Sequence, residues 1–330
     1  MAARRALSTS TNSTGATLPL HRMSSSITSW FQLPDQGMMR YEMLSRGTAF
    51  CVHPPAGKGG STTNSVGAAD SPLYFFTCSH VAAPWRWPKL YPLPWLEHVR
   101  EEHTRCVLHV TEGKTGRVVE RFLLQPTVVH HDSLDVCVLQ LQDQEHAKRR
   151  MAKHGLRLEP LVLSSNVPAP GHPVVSPGFA VEREGKAAGD ANDNDDDDDE
   201  AGLLEDPETG ETVHLNLRTD EEPRRLCVSM GTVNQYKDRH SRGFAAMDRV
   251  LGDGVCGAPL LDLREEGRCV GLVEGIVPPL EEGKEEEEVE GMEPAARRAQ
   301  EVRSAIAGNA AFIYGRELVD LLARASSSAK

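Results

Sequence analysis

Short apolar runs separated by polar, glycine-containing stretches recur along the first half of the 330-residue chain. Their lengths suit strands better than helices, and they are rich in valine, phenylalanine and threonine, which favour a pleated sheet. The runs are GTAFCV at 47–52, LYFFTCSHVAA at 73–83, RCVLHV at 105–110, RVVERFLLQ at 117–125 and LDVCVLQL at 134–141. This spacing predicts a first β-barrel over residues 41–145.

The same pattern resumes after a stretch at residues 144–157 that is rich in lysine, arginine and histidine and is predicted to be a linker or short helix. The later runs are PLVL at 160–163, HPVVSPGFA at 172–180, LCVSMGTVNQY at 226–236, APLLDL at 258–263, CVGLVEGIV at 269–277 and AAFIY at 310–314. They predict a second barrel over residues 158–314. GRELVDLLARA then places leucines and a valine at helical spacing, which predicts a C-terminal helix and tail over 315–330. The fold class is therefore all-β, with two antiparallel barrels and a terminal helix.

Two acidic insertions interrupt the second barrel, at residues 184–222 and 278–308. The formal net charge is −12, but residues 190–200 hold eight acids, and residues 281–290 hold seven acids and one lysine. The rest of the chain is therefore close to neutral, which argues against a nucleic-acid-binding surface. The aspartate run is expected to be a solvated loop, with docking to a basic partner as the alternative. PAARRAQEVRSAIAG at 294–308 predicts a helix, with proline near its start and glycine at its end.

Seven cysteines are scattered along the chain without a CxxC pair. An odd number without regular spacing indicates a reducing compartment and argues against both a disulfide framework and a zinc site. No cofactor or metal ion is expected. No apolar, uncharged window approaches the ~18 residues that a transmembrane helix requires, so none is predicted.

The N-terminal segment, residues 1–40, differs in composition from the rest of the chain. Its first 34 residues contain no aspartate or glutamate but many serines and threonines, with Arg4, Arg5 and Arg22. This composition is typical of a mitochondrial transit peptide. The alternative is a disordered polar segment on a cytoplasmic protein.

Three short stretches carry candidate chemistry. FTCSH places His80 at the end of a strand, HDSLDVCVLQL places Asp135 at the start of one, and GDGVCGAPL places Cys256 in a glycine-rich turn. Acyl transfer needs a nucleophile, a base and a carboxylate that orients the base. The glycines allow a turn tight enough for amide groups to converge on an oxyanion. Asp132 is the other candidate for the acid, but the apolar run directly after Asp135 favours Asp135.

Taken in order over residues 47–322, these stretches resemble the trypsin-like peptidases of chymotrypsin fold, closest in texture to the HtrA-type branch. The segments that carry the resemblance are GTAFCV with FFTCSHV, DVCVLQL, GHPVVSPGFA, VSMGTVNQY, GVCGAPLLD, and GLVEGIV with AAFIYGRELVDLL. The resemblance implies a double barrel with His80 as general base, Asp135 as its orienting acid and Cys256 as nucleophile. It also implies an oxyanion hole made by the amides of Gly254 and Cys256.

The sequence departs from that family at the nucleophile loop. Cysteine stands where serine is usual, Ala258 replaces the second glycine after the nucleophile, and Val255 replaces the residue that pairs with a freed N-terminus in zymogens. Two functions follow: an endopeptidase with a cysteine nucleophile, or an inactive pseudopeptidase that serves as a binding or scaffold module.

Two features bear on what such a protein would bind. Val250, six residues before the nucleophile, matches the position that is acidic in trypsin, so a preference for basic substrate side chains is not expected. The tryptophan-rich loop PWRWPKLYPLPW at 84–95 follows His80. It is interpreted as lining substrate subsites, as a protein-binding patch, or as a loop that packs on the barrel.

Overall fold

The first barrel is a seven-stranded antiparallel sheet in the order β5-β4-β1-β2-β3-β7-β6. The computed structural model describes residues 18–54, 72–112, 116–126, 129–181, 202–207, 209–220, 224–237, 241–265, 267–280 and 293–328. The strands are β1 (Ser25–Phe31), β2 (Glu42–Val52), β3 (Tyr74–Thr77), β4 (Thr104–Thr111), β5 (Val118–Leu124), β6 (Val129–His130) and β7 (Cys137–Gln140). The ends of β5 and β7 meet where the Gln125 amide donates to the Gln140 carbonyl at 2.8 Å, which closes the sheet into a barrel.

The second barrel is closed, in the order β11-β12-β15-β14-β13-β8. Its strands are β8 (Pro173–Val181), β11 (Arg224–Lys237), β12 (Arg242–Met247), β13 (Pro259–Asp262), β14 (Arg268–Ile276) and β15 (Ala310–Tyr314). A separate hairpin joins β9 (Leu203–Glu205) and β10 (Thr212–His214). The prediction of an all-β fold with two barrels is confirmed.

Four α-helices complete the described fold: α1 (Ser79–Ala82), α2 (Gln144–Lys153), α3 (Pro294–Ile306) and α4 (Gly315–Ser328). The predicted terminal helix is thus present as α4. Its buried face, with Leu318, Leu321, Leu322 and Ala325, joins the core that the first barrel shares with part of the second. This shared core fixes the two barrels against each other, so that a cleft forms along the line where they meet. Among the described residues, no helix combines the length and apolarity that crossing a membrane requires.

The expectation that the fold begins near residue 41 is wrong, because β1 lies within the segment interpreted as a leader. All seven residues of Ser25–Phe31 are buried, and the strand pairs with both β2 and β4. Some of its polar side chains are hydrogen-bonded: the Trp30 indole donates to the Thr28 hydroxyl at 2.7 Å, and the Ser29 and Ser45 hydroxyls lie 2.9 Å apart. Leu18 and Leu20 are also buried in the core, so a leader whose removal leaves the fold intact would end before Leu18.

Part of the first acidic insertion, residues 184–222, is folded onto the first barrel. Within residues 202–207 and 209–220, the chain forms the β9–β10 hairpin and a short 3₁₀ helix, Leu217–Asp220. The Tyr41 amide donates to the His214 carbonyl at 2.8 Å, and buried Val213 and Leu215 pack in one cluster with Trp30. Apolar residues interspersed among the charges explain this docking. The aspartate run at 190–200 and the glutamate run at 281–290 lie outside the described residues, whereas the helix predicted at 294–308 is present as α3.

Candidate active site

His80 is held at two points by one carboxylate. Strand β3 ends at Thr77, and the single turn of α1 that follows places both the backbone and the ring of His80 toward Asp135. The Asp135 Oδ1 atom accepts the His80 amide at 2.8 Å, and its Oδ2 atom accepts Nδ1 of the ring. Because Asp135 is only 3 % exposed, both bonds are shielded from water. The second ring nitrogen, Nε2, is left to face the cleft.

The structure separates the two candidate acids. Asp132 has a side chain that is 87 % exposed and pairs with Arg324 at 3.2 Å on the surface. The chain then turns back: the amides of Ser133 and Leu134 both donate to the His131 ring, and the His131 amide donates to the Val136 carbonyl. This compact turn carries Asp135, and not Asp132, to His80.

Cys256 reaches His80 from the opposite side, in the loop at 248–258 that joins β12 to β13. Both side chains line one cleft, and Cys256 is near enough to His80 to contribute to the raised pKa of the ring. Gly254 and Gly257 have φ of +94° and +92°. A Cβ atom at Gly257 would lie 2.0 Å from the Thr48 carbonyl oxygen, and one at Gly254 would lie 2.7 Å from that of Phe179. Only glycine satisfies both the backbone angles and the space at these positions.

The amides of Gly254 and Cys256 are oriented by the carbonyls that share their peptide planes. The Asp253 carbonyl accepts the Val181 amide at 2.9 Å, and the Val255 carbonyl accepts the Ala258 amide at 2.9 Å. Described peptide bonds are all trans, so each N–H points away from the carbonyl of its own plane. Across the described part of the chain, neither amide donates to a protein group. The loop therefore presents two N–H groups of the kind an oxyanion needs.

Ala258 fits its position without strain. It is fully buried and packs in an apolar cluster of the second barrel with Leu251, Val255, Val273 and Ala310. The only described non-glycine residue with positive φ is Ser241, so the Ala258 backbone is in an ordinary region. A Cβ at Gly178 on neighbouring β8 would lie 3.1 Å from the Ala258 methyl group. The methyl group that a second glycine would lack thus points into the core and away from the cleft, and Gly178 leaves room for it.

The charges around His80 favour its protonated form. Burial alone lowers the pKa of His80, but hydrogen bonds to Asp135 and Cys256, together with their negative charges, outweigh it and raise the pKa to about 10. The adjacent Cys78 also keeps its proton, which leaves it uncharged. Burial and the nearby Asp135 raise the pKa of the Cys78 thiol well above its usual value, and the thiol donates to the Val273 carbonyl at 3.4 Å.

Cys78, His80 and Asp135 have ligand atoms within 4.8 Å of one another, a spacing that also suits a metal site. The contacts point to another explanation. Asp135 already bonds His80 through both oxygens, and Cys78 keeps its proton in a hydrogen bond to backbone. A metal would require that thiol to be deprotonated in an apolar setting. The grouping is accounted for by a His–Asp pair with a packed cysteine beside it.

A cleft of about 480 Å³ adjoins His80 and Cys256. Its apolar lining includes Leu251, Val255, Val273 and Ile276, all from the second barrel. Val250, the residue matched to the specificity position, is 77 % exposed and does not line this cleft, and Leu251 does so instead.

Tyr91 is a cleft residue that the sequence reasoning missed. Its ring centroid lies 6.3 Å from that of His80, and it lines the cleft together with Ser45. Burial, reinforced by the nearby Cys256 and Asp135, raises the pKa of Tyr91 above its ordinary value, so it remains neutral. The available signal was the tryptophan-rich loop itself, which contains Tyr91 among its prolines and tryptophans.

The tryptophan-rich loop at 84–95 is both packed and exposed. Trp95 stacks on Phe31 of β1, with ring centroids 4.8 Å apart, and the following residues Leu96 and Val99 are buried in the same cluster. Leu90 and Leu93 project outward and are 56 % and 44 % exposed. The loop therefore packs on the first barrel beside the cleft and has an apolar outer surface.

Comparison with known protein families agrees with this geometry. The family model of the trypsin-like peptidase domain matches residues 47–272, about two thirds of the chain. The chain belongs to the trypsin-like peptidase family. A search of curated proteins finds no match. The trypsin-like peptidase domain contains His80, Asp135 and Cys256 within the matched range, whereas β1, α3, β15 and α4 lie outside it.

Proposed function

We propose that this trypsin-like peptidase domain is a cysteine endopeptidase that uses His80, Asp135 and Cys256. The observation that carries the proposal is that one buried imidazole bonds a buried carboxylate and lines the same cleft as the Cys256 thiol. A connected nucleophile, base and orienting acid is the arrangement that acyl transfer requires. The family supports a polypeptide substrate.

Acylation starts from the form in which the Cys256 proton has already moved to Nε2 of His80, which the raised pKa of His80 favours. The thiolate sulfur bonds to the scissile carbonyl carbon, and the carbonyl oxygen takes the electron pair as an oxyanion facing the amides of Gly254 and Cys256. The tetrahedral intermediate then collapses, the carbon–nitrogen bond breaks, and protonated His80 gives its proton to the leaving amine. Asp135 holds the ring with Nδ1 protonated throughout.

Deacylation repeats these steps with water as the nucleophile. Neutral His80 takes a proton from a water molecule that attacks the thioester carbon. The carbon–sulfur bond then breaks, the acid product leaves, and the proton on His80 returns to the Cys256 sulfur. No metal or organic cofactor is needed for either half of the reaction.

We further propose that the cleft accepts an apolar side chain next to the scissile carbonyl, the P1 residue. Leu251, Val273 and Ile276 supply its apolar wall. The acid on that segment of β14, Glu274, is neutralised by Arg242, which bonds both carboxylate oxygens at 2.6 and 2.7 Å. Arg46 and Asp253 also line the cleft, but each already interacts with another group. A charged P1 side chain that packs on the apolar wall would lose water without gaining a partner.

This lining predicts the order of substrate preference. Peptides with leucine or valine at P1 should have a kcat/KM at least about tenfold higher than peptides with lysine or aspartate there, because the apolar wall offers burial but no charged group to pair with. The measurement is a peptide panel varied only at P1, with the same changes made far from the cleaved bond as the control. A preference for lysine or arginine at P1 would refute the proposed lining.

The outer surface of the loop at 84–95 supports a second role as a binding site for a protein partner. Leu90, Leu93 and Trp95 expose apolar area beside the cleft, where an extended substrate or a scaffold partner would pass. If the chain were a pseudopeptidase, this surface would remain while Cys256 stayed chemically inert. Thiol reactivity therefore separates the two functions.

A peptide vinyl sulfone with leucine at P1 tests the proposed peptidase. We expect one adduct by intact-protein mass spectrometry, mapped by digestion to Cys256, and at least about a hundredfold slower labelling after His80→Ala, which removes the base. Cys227 is the internal control, since it and Cys256 are the cysteines that are not fully buried. Equal labelling of both thiols, or none, would contradict the peptidase and favour the scaffold.

A further inference from the structure

Thr48, on β2 of the first barrel, is hydrogen-bonded through all of its polar groups to the nucleophile loop and its surroundings. Its amide donates to the Cys256 carbonyl at 2.8 Å, and its hydroxyl donates to the Gly254 carbonyl at 2.8 Å. The same hydroxyl accepts the Phe179 amide from β8 at 2.9 Å, and its carbonyl accepts the Thr77 hydroxyl at 2.8 Å. Thr48 is fully buried, so water does not compete for these bonds.

These contacts fix alternate peptide planes of the loop. The Gly254 carbonyl belongs to the plane that precedes the one carrying the Cys256 amide, and the Cys256 carbonyl belongs to the plane that follows it. Thr48 therefore holds the planes on both sides of that amide. The Val255 carbonyl, bonded to Ala258, completes the constraint from within the loop. Adjacent planes are linked through only a few dihedral angles. The two planes held by Thr48 therefore restrict rotation of the plane between them, which carries the Cys256 amide.

The adjacent glycines show how closely Thr48 approaches the nucleophile loop. A Cβ on Gly257 would lie 2.0 Å from the Thr48 carbonyl, and a Cβ on Gly47 would lie 2.9 Å from the Cys256 carbonyl. The first barrel thus packs directly against the backbone of the loop, with glycine on both sides of the contact. Thr48 lies at the centre of this junction between the barrels.

We infer that Thr48 is a positioning residue that holds the Gly254–Cys256 amides in the orientation needed to bind the oxyanion. The inference rests on the proposed peptidase function and adds to it a determinant from the other barrel. Only a hydroxyl can donate to the Gly254 carbonyl and accept from the Phe179 amide at once. Serine keeps this capacity, whereas valine has the shape of threonine without it and leaves both backbone groups buried and unpaired.

The test compares two reactions of Cys256. Iodoacetamide alkylation needs only the thiolate, while peptide hydrolysis also needs the oxyanion amides. In Thr48→Val we expect alkylation within about threefold of the unmodified protein, but kcat for an apolar-P1 peptide lower by about a hundredfold with KM little changed. Thr48→Ser should restore most of the loss.

Thr77→Val is the matched control, because it deletes a neighbouring buried hydroxyl that bonds Thr48 but not the loop. It should leave the ratio of hydrolysis to alkylation unchanged. Should Thr48→Val not fold, Thr48→Ala carries the same comparison. Equal losses in the two reactions, unchanged hydrolysis, or no rescue by serine would each overturn the inference. Failure of the unmodified protein to hydrolyse any peptide would instead count against the proposed function.

Discussion

Replacement of Cys256 with alanine is expected to lower kcat for peptide hydrolysis by about 10⁵-fold or more, because no other nucleophile can form the acyl intermediate. The nearest alternative thiol, Cys78, donates its proton to the Val273 carbonyl and has its pKa raised well above the usual value by burial. It therefore cannot substitute for Cys256. The measurement is steady-state cleavage of an apolar-P1 peptide, with products identified by mass spectrometry.

Cys227→Ala is the matched control for this substitution. Cys227 is also partly accessible but lies on β11, beside Ser229 and Arg249 and outside the cleft lining. Its removal should leave kcat and KM unchanged. Cleavage that survives in Cys256→Ala, or disappears equally in Cys227→Ala, would show that the proposed nucleophile is wrong.

The pattern of short apolar runs was sufficient to predict both barrels, because strands buried at every position, such as Tyr74–Thr77 and Pro259–Asp262, stand out as continuous runs in a single sequence. It failed at β1. Five of its seven residues are serine, threonine or tryptophan, and hydrogen bonds such as that from Trp30 to Thr28 offset part of the cost of burying their polar groups. The composition of residues 1–40 predicted a leader. The strands that pair with β1 and stabilise it are remote in sequence, so local composition does not reveal them.

The hairpin at residues 202–214 was missed for a related reason. It pairs with the chain near Tyr41, far away in sequence, and lies inside an insertion dominated by charge. The composition of such a segment indicates how soluble it is, but not where it packs on the rest of the fold. Tyr91 was missed because proximity to His80 arises from the path of a loop, which no periodic pattern encodes.

The residues of the candidate site could be named from motifs, but their geometry could not. From the sequence, Asp132 and Asp135 were both candidates for the acid, with Asp135 favoured. The turn around His131 shows which carboxylate reaches His80. The cysteine and Ala258 departures raised the question of whether the loop is still built for catalysis. The ordinary backbone of Ala258 and the oriented amides are compatible with a working loop, and the assignment of catalytic roles remains a prediction.

The pH dependence of stability offers a check on His80 that is independent of catalysis. Its pKa is raised to about 10 in the folded protein, against about 6.5 for an unperturbed histidine. Protonated His80 therefore stabilises the fold fully below about pH 6.5, and this contribution is lost as the pH rises toward 10. Asp135→Asn should make the midpoint of urea unfolding less dependent on pH across this window, whereas Asp132→Asn should not.

Asp135→Asn is expected to lower kcat by about 10⁴-fold, because an amide neither fixes the His80 tautomer nor stabilises the imidazolium. With the carboxylate gone, burial lowers the pKa of His80, so the alkaline limb of kcat/KM should move from near pH 10 to a lower value. Asp132→Asn, at an exposed carboxylate paired with Arg324, is the matched control and should leave rate and profile unchanged. A rate loss in Asp135→Asn without displacement of the alkaline limb would mean that Asp135 only holds the backbone at His80 and does not raise the pKa of His80.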